Sequence, residues 1–191
     1  LDHNATTPVD QRVLDQFLAV ERQYPGNPAS LHEIGRKARA VVEAARARVA
    51  AVLGVAIDDV VFTSGATEAN NIALQGTALS PRRRGSHIIT CATEHKCVLE
   101  TVGYLARNGF QAAILPVGSN GLVDTAALAT AITSETFLVS IMTANNEIGV
   151  LQPIDEIAEI CRSHGVVFHT DAAQAIGKIP IDVKVSGLCQ G

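Results

Sequence analysis

Hydrophobic positions recur at two different spacings along the chain of 191 residues. In the first 54 residues they return every three or four positions, which is the spacing of an amphipathic helix. Beyond residue 59, short continuous apolar runs alternate with helical stretches. Continuous apolar runs are typical of parallel strands that are covered on both faces. The pattern therefore predicts an α/β fold with helices on both faces of a mostly parallel sheet.

Two helices are expected before the first strand. The first is predicted over about 8–23 with Thr7 as its N-cap, because an N1 proline and an acidic residue follow that threonine. The second is predicted to begin with a capping box formed by Ser30 and Glu33 and to end at Gly54. No repeat or linker separates these helices from the rest of the chain.

Five strands and four further helices follow in alternation. The strands are expected at 60–63, 87–91, 112–115, 137–141 and 166–169. The helices between them are expected at about 66–79, 95–108, 124–132 and 153–164. Gly109 and Gly165 follow two of these helices directly, at the position where a left-handed residue is wanted. The whole arrangement is that of a βαβ chain.

Composition excludes several classes of protein. Hydrophobic residues make up 47 % of the chain and charged residues 18 %, whereas disorder requires the opposite balance. The net charge of −4 argues against binding nucleic acid by phosphate neutralisation. Every apolar run is too short to span a bilayer. We therefore expect a protein that associates with neither nucleic acid nor membrane.

The four cysteines favour a reducing compartment, and a cytoplasmic location is expected. No two of them are spaced as Cys-x-x-Cys, so neither a zinc ribbon nor a thioredoxin-like motif is indicated. Cys91 and Cys161 lie in apolar runs and are expected to be buried thiols. His95 and Cys97 are only two ligands, which do not make a zinc site, and no metal is expected.

Candidate chemistry follows the predicted strands, because ligands of open α/β sheets bind beyond the carboxyl ends of the strands. The segment 63–68 offers small residues at a helix N-terminus, which suits an anion, although a tight turn explains it equally well. His95 follows the second strand, and a lone histidine is more often structural. The paired asparagines 145–146 also suit an ordinary turn. Asp171 needs a partner, which would be a ligand cation, Lys178 or a metal. Together these residues suit pyridoxal phosphate, a flat, phosphorylated and cationic ring.

Six motifs resemble those of cysteine desulfurases of the IscS/NifS group, which are class-V, fold-type-I pyridoxal-phosphate enzymes. These motifs cover 2–8, 26–28, 63–71, 93–99, 145–149 and 169–175. The resemblance extends from the start of the chain to about residue 183. It implies the large coenzyme-binding domain of that fold, incomplete at its C-terminal side. On this basis 1–12 belong to the small domain and 13–191 to a partial large domain.

The resemblance also implies a coenzyme site composed of Ala66, Thr67, His95, Asn146, Asp171 and Gln174. Ala66 and Thr67 are expected to bind the phosphate, and His95 to stack on the ring and assist proton transfers as the catalytic residue. Asp171 is expected to hold the pyridinium nitrogen and Gln174 the phenolic oxygen. The implied reaction converts L-cysteine to L-alanine and leaves the sulfur as an enzyme persulfide. The implied assembly is a homodimer that supplies iron–sulfur scaffolds or other sulfur acceptors.

The sequence departs from the family in two functional respects. The Ser-x-His-Lys motif, whose lysine binds the coenzyme covalently, has no match, so Lys178 and Lys184 are not assigned that role. The persulfide cysteine also has no match, and neither Cys97 nor Cys189 inherits it. The 191 residues alone are therefore expected to be inactive. The first strand is also expected to lack its neighbour, because the family sheet places later strands beside it.

Alternative interpretations remain open at this point. The unmatched tail at 186–191 is compatible with a short, non-catalytic paralogue or a frameshifted product. A selenocysteine lyase or another β-lyase of the same fold would share the coenzyme-binding residues.

Overall fold

The computed structural model describes His3, residues 6–181 and Val183. The chain divides into two compact units, Leu1–Val61 and Phe62–Gly191. The expected division after residue 12 refers to the family's domains and stays a prediction. Lys184, Cys189 and the tail at 186–191 lie outside the described residues.

The first helix of the first unit, α1, spans Gln11–Gln23. Its N-cap is Asp10, whose carboxylate accepts a hydrogen bond from the Arg12 backbone N–H at 2.9 Å. The prediction that Thr7 caps a helix from about residue 8 was therefore wrong at its start. An aspartate is at least as good an N-cap as a threonine, and this one lies directly before the helix.

The second helix, α2, spans Glu33–Leu53 and is capped by His32. The ring Nδ1 of His32 accepts a hydrogen bond from the Gly35 backbone N–H at 3.2 Å. The predicted capping box at Ser30 was wrong, because the Ser30 N–H donates to the Asn27 carbonyl at 3.0 Å and closes a turn instead. The predicted end is confirmed, since Gly54 follows the helix with a left-handed φ of 71°. A short 3₁₀ helix at Ile57–Asp59 completes this unit.

The second unit is a parallel α/β sheet, as predicted. Its strands are β1 (His87–Cys91), β2 (Gln111–Leu115), β3 (Thr136–Ser140) and β4 (Val167–His169). Its helices are α3 (Ala66–Leu79), α4 (Lys96–Arg107), α5 (Thr125–Ala131) and α6 (Ile154–Ser163). All three strand pairs are parallel, and the strand order is β2-β1-β3-β4. Each of these elements lies within one residue of its predicted bounds.

The fifth predicted strand, at 60–63, does not form. This segment lies outside the four-stranded sheet of the described residues, and Val61 is 70 % exposed. An apolar run becomes a strand only where a neighbour accepts its backbone hydrogen bonds. The expectation that its neighbouring strand is lacking stays a prediction.

Helices cover both faces of the sheet, and each face has its own apolar core. On one face, α3 and α4 pack on β1 and β3, through a cluster of Leu74, Ala78, Ile88, Val98, Val102, Leu105, Phe137 and Leu138. On the other face, α5 and α6 contribute Leu128, Ile157 and Cys161 to a second cluster. Cys91 also belongs to this second core, so the prediction of two buried thiols is confirmed. Burial raises the pKa of Cys91 to about 11 and that of Cys161 to about 12.

The chain reverses direction across the sheet between β1 and β3. It runs from β1 outward to β2 through α4 and then returns over the opposite face to β3 through α5. The connections beyond the carboxyl ends of β1 and β3 therefore diverge and leave a crevice, which is where such sheets bind ligands. None of the helices in the described part of the chain is long and apolar enough to cross a membrane.

Candidate functional site

Asp171 occupies the centre of the candidate site, two residues after β4. It is 9 % exposed. Its Oδ2 accepts a hydrogen bond from Asn70 Nδ2 at 2.8 Å and its Oδ1 accepts one from the Ala173 backbone N–H at 2.9 Å. The alternative that Lys178 pairs with Asp171 was wrong, because Lys178 Nζ donates to Gln174 Oε1 at 2.5 Å. The buried carboxylate is therefore satisfied by neutral donors.

Asn70 connects this carboxylate to the N-terminus of α4. Its Nδ2 also donates to Cys97 Sγ at 3.3 Å, and Cys97 Sγ lies 3.0 Å from His95 Nδ1. His95 is the N-cap of α4, and its ring accepts a hydrogen bond from the Cys97 backbone N–H at 3.2 Å. The predicted pair Asp171 and His95 is thus joined through two intervening side chains.

The predicted phosphate-binding residues Ala66 and Thr67 form the first turn of α3 and are exposed. Gly65 is the N-cap and makes no side-chain cap hydrogen bond. Asn70 lies three residues after Thr67, and residues at this spacing share one helix face. The first turn of α3 therefore lies one turn from the residue that contacts Asp171.

Asn146 and Gln174 complete the predicted set. The neighbouring Asn145 is buried and fastens its loop to the loop after β1, by donating from Nδ2 to the Thr93 carbonyl at 2.8 Å. Asn146 is half-buried, and within the described residues no hydrogen bond joins it to Asp171 or His95. Gln174 lies three residues beyond Asp171 and accepts the hydrogen bond from Lys178.

Glu94 is a buried acid in the segment that follows β1. The sequence pattern did not indicate it as a candidate. It is 6 % exposed, and its Oε1 accepts hydrogen bonds from the Met142 backbone N–H at 2.5 Å and from Cys91 Sγ at 3.4 Å. Its Oε2 is buried without a hydrogen-bond partner. Burial, with a smaller contribution from the negative charge of Asp171, raises the pKa of Glu94 to about 7, although the hydrogen bonds from Met142 and Cys91 oppose this effect. This carboxyl group ties the end of β1 to the end of β3.

His169 is the last residue of β4 and lies two residues before Asp171. Its Nδ1 is 2.9 Å from the hydroxyl of Ser140 on the adjacent strand β3. Burial lowers the pKa of His169, although the charge of Asp171 opposes this effect. The rim thus contains an imidazole whose protonation is disfavoured next to a carboxylate.

Sequence reasoning missed Asn70 and Glu94 as functional candidates, although both lie within motifs that were singled out. A polar residue one helical turn from Thr67, on a helix face that is otherwise apolar, was the available signal for Asn70. For Glu94 the sequence carried no comparable signal, because a glutamate beside a histidine is ordinarily solvated. No group of three or more histidine, cysteine, aspartate or glutamate side chains in the described ranges is arranged to hold a metal.

Known proteins resemble this chain over nearly its whole length. The model of the aminotransferase class-V family matches residues 1–188. The chain belongs to that family. A probable mitochondrial cysteine desulfurase of Dictyostelium discoideum is 52 % identical over 96 % of this class-V chain. A cysteine desulfurase IscS of Ehrlichia chaffeensis is 50 % identical over the same share. The resemblance to cysteine desulfurases is therefore confirmed.

A solved structure supports the fold of the class-V chain. The structure titled SspA in complex with cysteine superposes with a TM-score of 0.93 at 38 % identity, over 98 % of this chain and 54 % of its own. The class-V chain spans 41 % of the length of the Dictyostelium relative and 45 % of the Ehrlichia relative. It thus corresponds to about half of the proteins that it matches, so the expectation of a partial coenzyme-binding fold is confirmed.

Proposed function

We propose that the class-V chain is part of a pyridoxal-phosphate-dependent cysteine desulfurase, which converts L-cysteine to L-alanine and transfers the sulfur to an enzyme cysteine as a persulfide. The observation that carries this proposal is the hydrogen-bonded connection from Asp171 through Asn70 and Cys97 to His95. It joins β4, α3 and α4 at one rim of the sheet. Two relatives that are named cysteine desulfurases share 52 % and 50 % sequence identity with this chain, and they support the choice of reaction.

The residues at this rim fit the coenzyme chemically. An ionised carboxylate offers about four acceptor positions, and Asp171 uses one for Asn70 and one for the Ala173 N–H. It therefore retains capacity for the N–H of a protonated pyridine ring. The α3 helix begins at a glycine without a side-chain cap, which leaves its first N–H groups available to a phosphate.

We assign roles on this basis. Ala66 and Thr67 bind the phosphate, and Asp171 keeps the ring nitrogen protonated. His95 stacks on the ring and lies next to the substrate, while Asn146 and Gln174 contact the ring oxygen. When bound, the coenzyme supplies an electron-withdrawing ring that stabilises negative charge at the substrate carbon.

The experiment that tests this function replaces Asp171 by asparagine in the full-length protein. The asparagine keeps the size of the side chain but removes the negative charge that pairs with a ring N–H. We expect kcat/KM for alanine formation from L-cysteine, measured with a thiol reductant that releases the persulfide sulfur as sulfide, to fall on the order of 100-fold, the loss typical of removing one preorganised electrostatic partner. The matched control is Asp58→Asn, at an exposed position of the 3₁₀ helix. Undiminished activity in Asp171→Asn, or wild-type protein that makes no alanine from cysteine, would contradict the proposal.

The oligomeric state, the sulfur acceptor and the cellular location are proposed only from the resemblance to the family. A homodimer, delivery of sulfur to iron–sulfur scaffold proteins and a cytoplasmic location stay predictions. The Dictyostelium relative is named as mitochondrial, which does not favour the cytoplasm. Analytical ultracentrifugation and cell fractionation of the full-length protein test the first and the last of these.

A further inference from the structure

The contact between His95 and the backbone of α4 defines which ring nitrogen carries the proton. The Cys97 backbone N–H lies 3.2 Å from His95 Nδ1. A backbone N–H can only donate, so Nδ1 must accept with its lone pair. In a neutral imidazole the other nitrogen then carries the proton. His95 is therefore protonated on Nε2, and adding a proton to Nδ1 would break this contact.

The thiol of Cys97 makes a second contact with the same nitrogen. Its Sγ lies 3.0 Å from His95 Nδ1, and because Nδ1 accepts, the S–H group donates. Asn70 Nδ2 donates to this sulfur at 3.3 Å and also to Asp171 Oδ2 at 2.8 Å. The hydrogen bonds thus run in one direction from Asn70 through Cys97 to His95.

We propose that Cys97 is a positioning residue that, through its backbone N–H and its thiol, fixes His95 as the Nε2–H tautomer. His95 consequently presents an N–H donor to the ligand and serves an oxygen acceptor of that ligand, rather than acting as a base from the neutral state. This inference rests on the proposed function only in that a ligand binds beside His95. A neutral imidazole at a helix N-terminus can polarise the oxygen of its ligand by donating a hydrogen bond to it.

Two other histidines provide internal references. His32 caps α2 in the same manner, with Nδ1 accepting from the Gly35 N–H at 3.2 Å. His164 is the opposite case, because its Nδ1 lies 2.8 Å from the Ile160 carbonyl oxygen. A carbonyl oxygen only accepts, so His164 must carry its proton on Nδ1. The same chain therefore contains both tautomers under one set of conditions.

The test is nuclear magnetic resonance of the full-length protein labelled with ¹³C,¹⁵N-histidine, about two pH units above the ordinary histidine pKa of about 6.5. Signals are assigned from the variants His95→Gln, His32→Gln and His164→Gln. We expect His95 and His32 to give the ring shifts of the Nε2–H tautomer and His164 those of the Nδ1–H tautomer. An Nδ1–H signature at His95, or shifts averaged between the two tautomers, would overturn the proposal.

Variants of Cys97 separate the thiol from the backbone. In Cys97→Ser a hydroxyl donor remains, and we expect the His95 shifts to stay those of the Nε2–H form. In Cys97→Ala only the backbone donor remains, as at His32, so we expect the Nε2–H form to persist while the Nδ1 shift changes because the S–H hydrogen bond to it is lost. The control Cys161→Ala removes a thiol from the opposite core and should leave His95 unchanged. Identical His95 spectra for wild type and Cys97→Ala would refute the role of the thiol. Because the spectra report ring protonation whatever the reaction, this result is independent of the desulfurase assay.

Discussion

Burial of Glu94 couples its proton to the folding of the chain. Water is excluded from this carboxyl group, and its Oε2 has no hydrogen-bond partner, so the neutral form is preferred. The pKa of Glu94 is raised from the ordinary 4.5 to about 7. The folded state thus binds this proton more tightly than the unfolded state does. Its contribution to stability is fully present below pH 4.5 and is lost as the pH rises to about 7.

Replacing Glu94 by glutamine should remove this pH dependence. Glutamine keeps an acceptor for the Met142 N–H but cannot ionise. We expect the free energy of unfolding of the wild type, measured relative to Glu94→Gln by urea denaturation, to fall by up to about 3 kcal/mol between pH 5 and pH 8. The difference between the two proteins cancels the titration of the buried histidines.

The control for this measurement is Glu68→Gln. Hydrogen bonds from Ser64 lower the pKa of the exposed Glu68, so its contribution is lost only as the pH falls below the ordinary glutamate range. The difference in the free energy of unfolding between Glu68→Gln and the wild type should therefore not change between pH 5 and pH 8. A flat difference for Glu94→Gln as well would show that the Glu94 proton is not linked to folding.

Single residues of the candidate site could be predicted only where they follow the carboxyl end of a predicted strand. Asp171 and His95 lie in the short segments that follow β4 and β1, and the sequence therefore indicated both. Asn70 contacts Asp171 across 101 positions of sequence, and no local pattern reports such a contact. Glu94 was unpredictable for a related reason, since its burial depends on the loop after β3.

At the scale of elements, two glycines with a positive φ should respond differently to the same substitution. Gly165 follows α6 with a φ of 66°, and a Cβ there would meet no atom within 4 Å. Gly85 has a φ of 78°, and a Cβ there would lie 2.2 Å from the Glu135 carbonyl oxygen. Gly165→Ala carries only the backbone strain, whereas Gly85→Ala adds a clash with the segment before β3.

We therefore expect Gly165→Ala to lower the free energy of unfolding by about 1 kcal/mol and Gly85→Ala to lower it clearly more. Thermal and urea denaturation of the two variants beside the wild type provide the comparison. Equal losses would mean that the backbone before β3 moves away from the new methyl group at little cost.

Most helices and strands could be predicted from local sequence patterns. Apolar runs and their spacing gave the four strands and four helices of the second unit to within one residue. The caps of α1 and α2 were misplaced because neighbouring residues compete for the same backbone N–H groups. The strand predicted at 60–63 does not form for a non-local reason. Its apolar strand pattern is intact, but none of the strands in the described sheet pairs with it.

At the scale of the whole molecule, the reversal between β1 and β3 assembles the candidate site. Parallel strands end at one edge, and this topology brings α3, α4 and the loop after β4 to the same crevice. The sequence predicted the edge because ligands of open α/β sheets bind beyond the carboxyl ends of the strands. It did not predict the hydrogen bonds across the crevice, which depend on how the helices rotate on the sheet.

The described lysines should not be the site of covalent coenzyme attachment. Lys178 is the described lysine nearest in sequence to Asp171, and its amine is engaged by Gln174 Oε1. An attachment lysine must instead deliver a free amine to the coenzyme carbonyl carbon. Borohydride makes a lysine–coenzyme linkage permanent, so treatment of the coenzyme-loaded full-length protein followed by peptide mapping identifies the residue. We expect Lys178 to stay unlabelled, as should the exposed Lys96 on α4, and the variant Lys178→Gln to retain the coenzyme absorbance. Label on Lys178 together with loss of that absorbance in Lys178→Gln would place the attachment point at Lys178 and contradict this prediction.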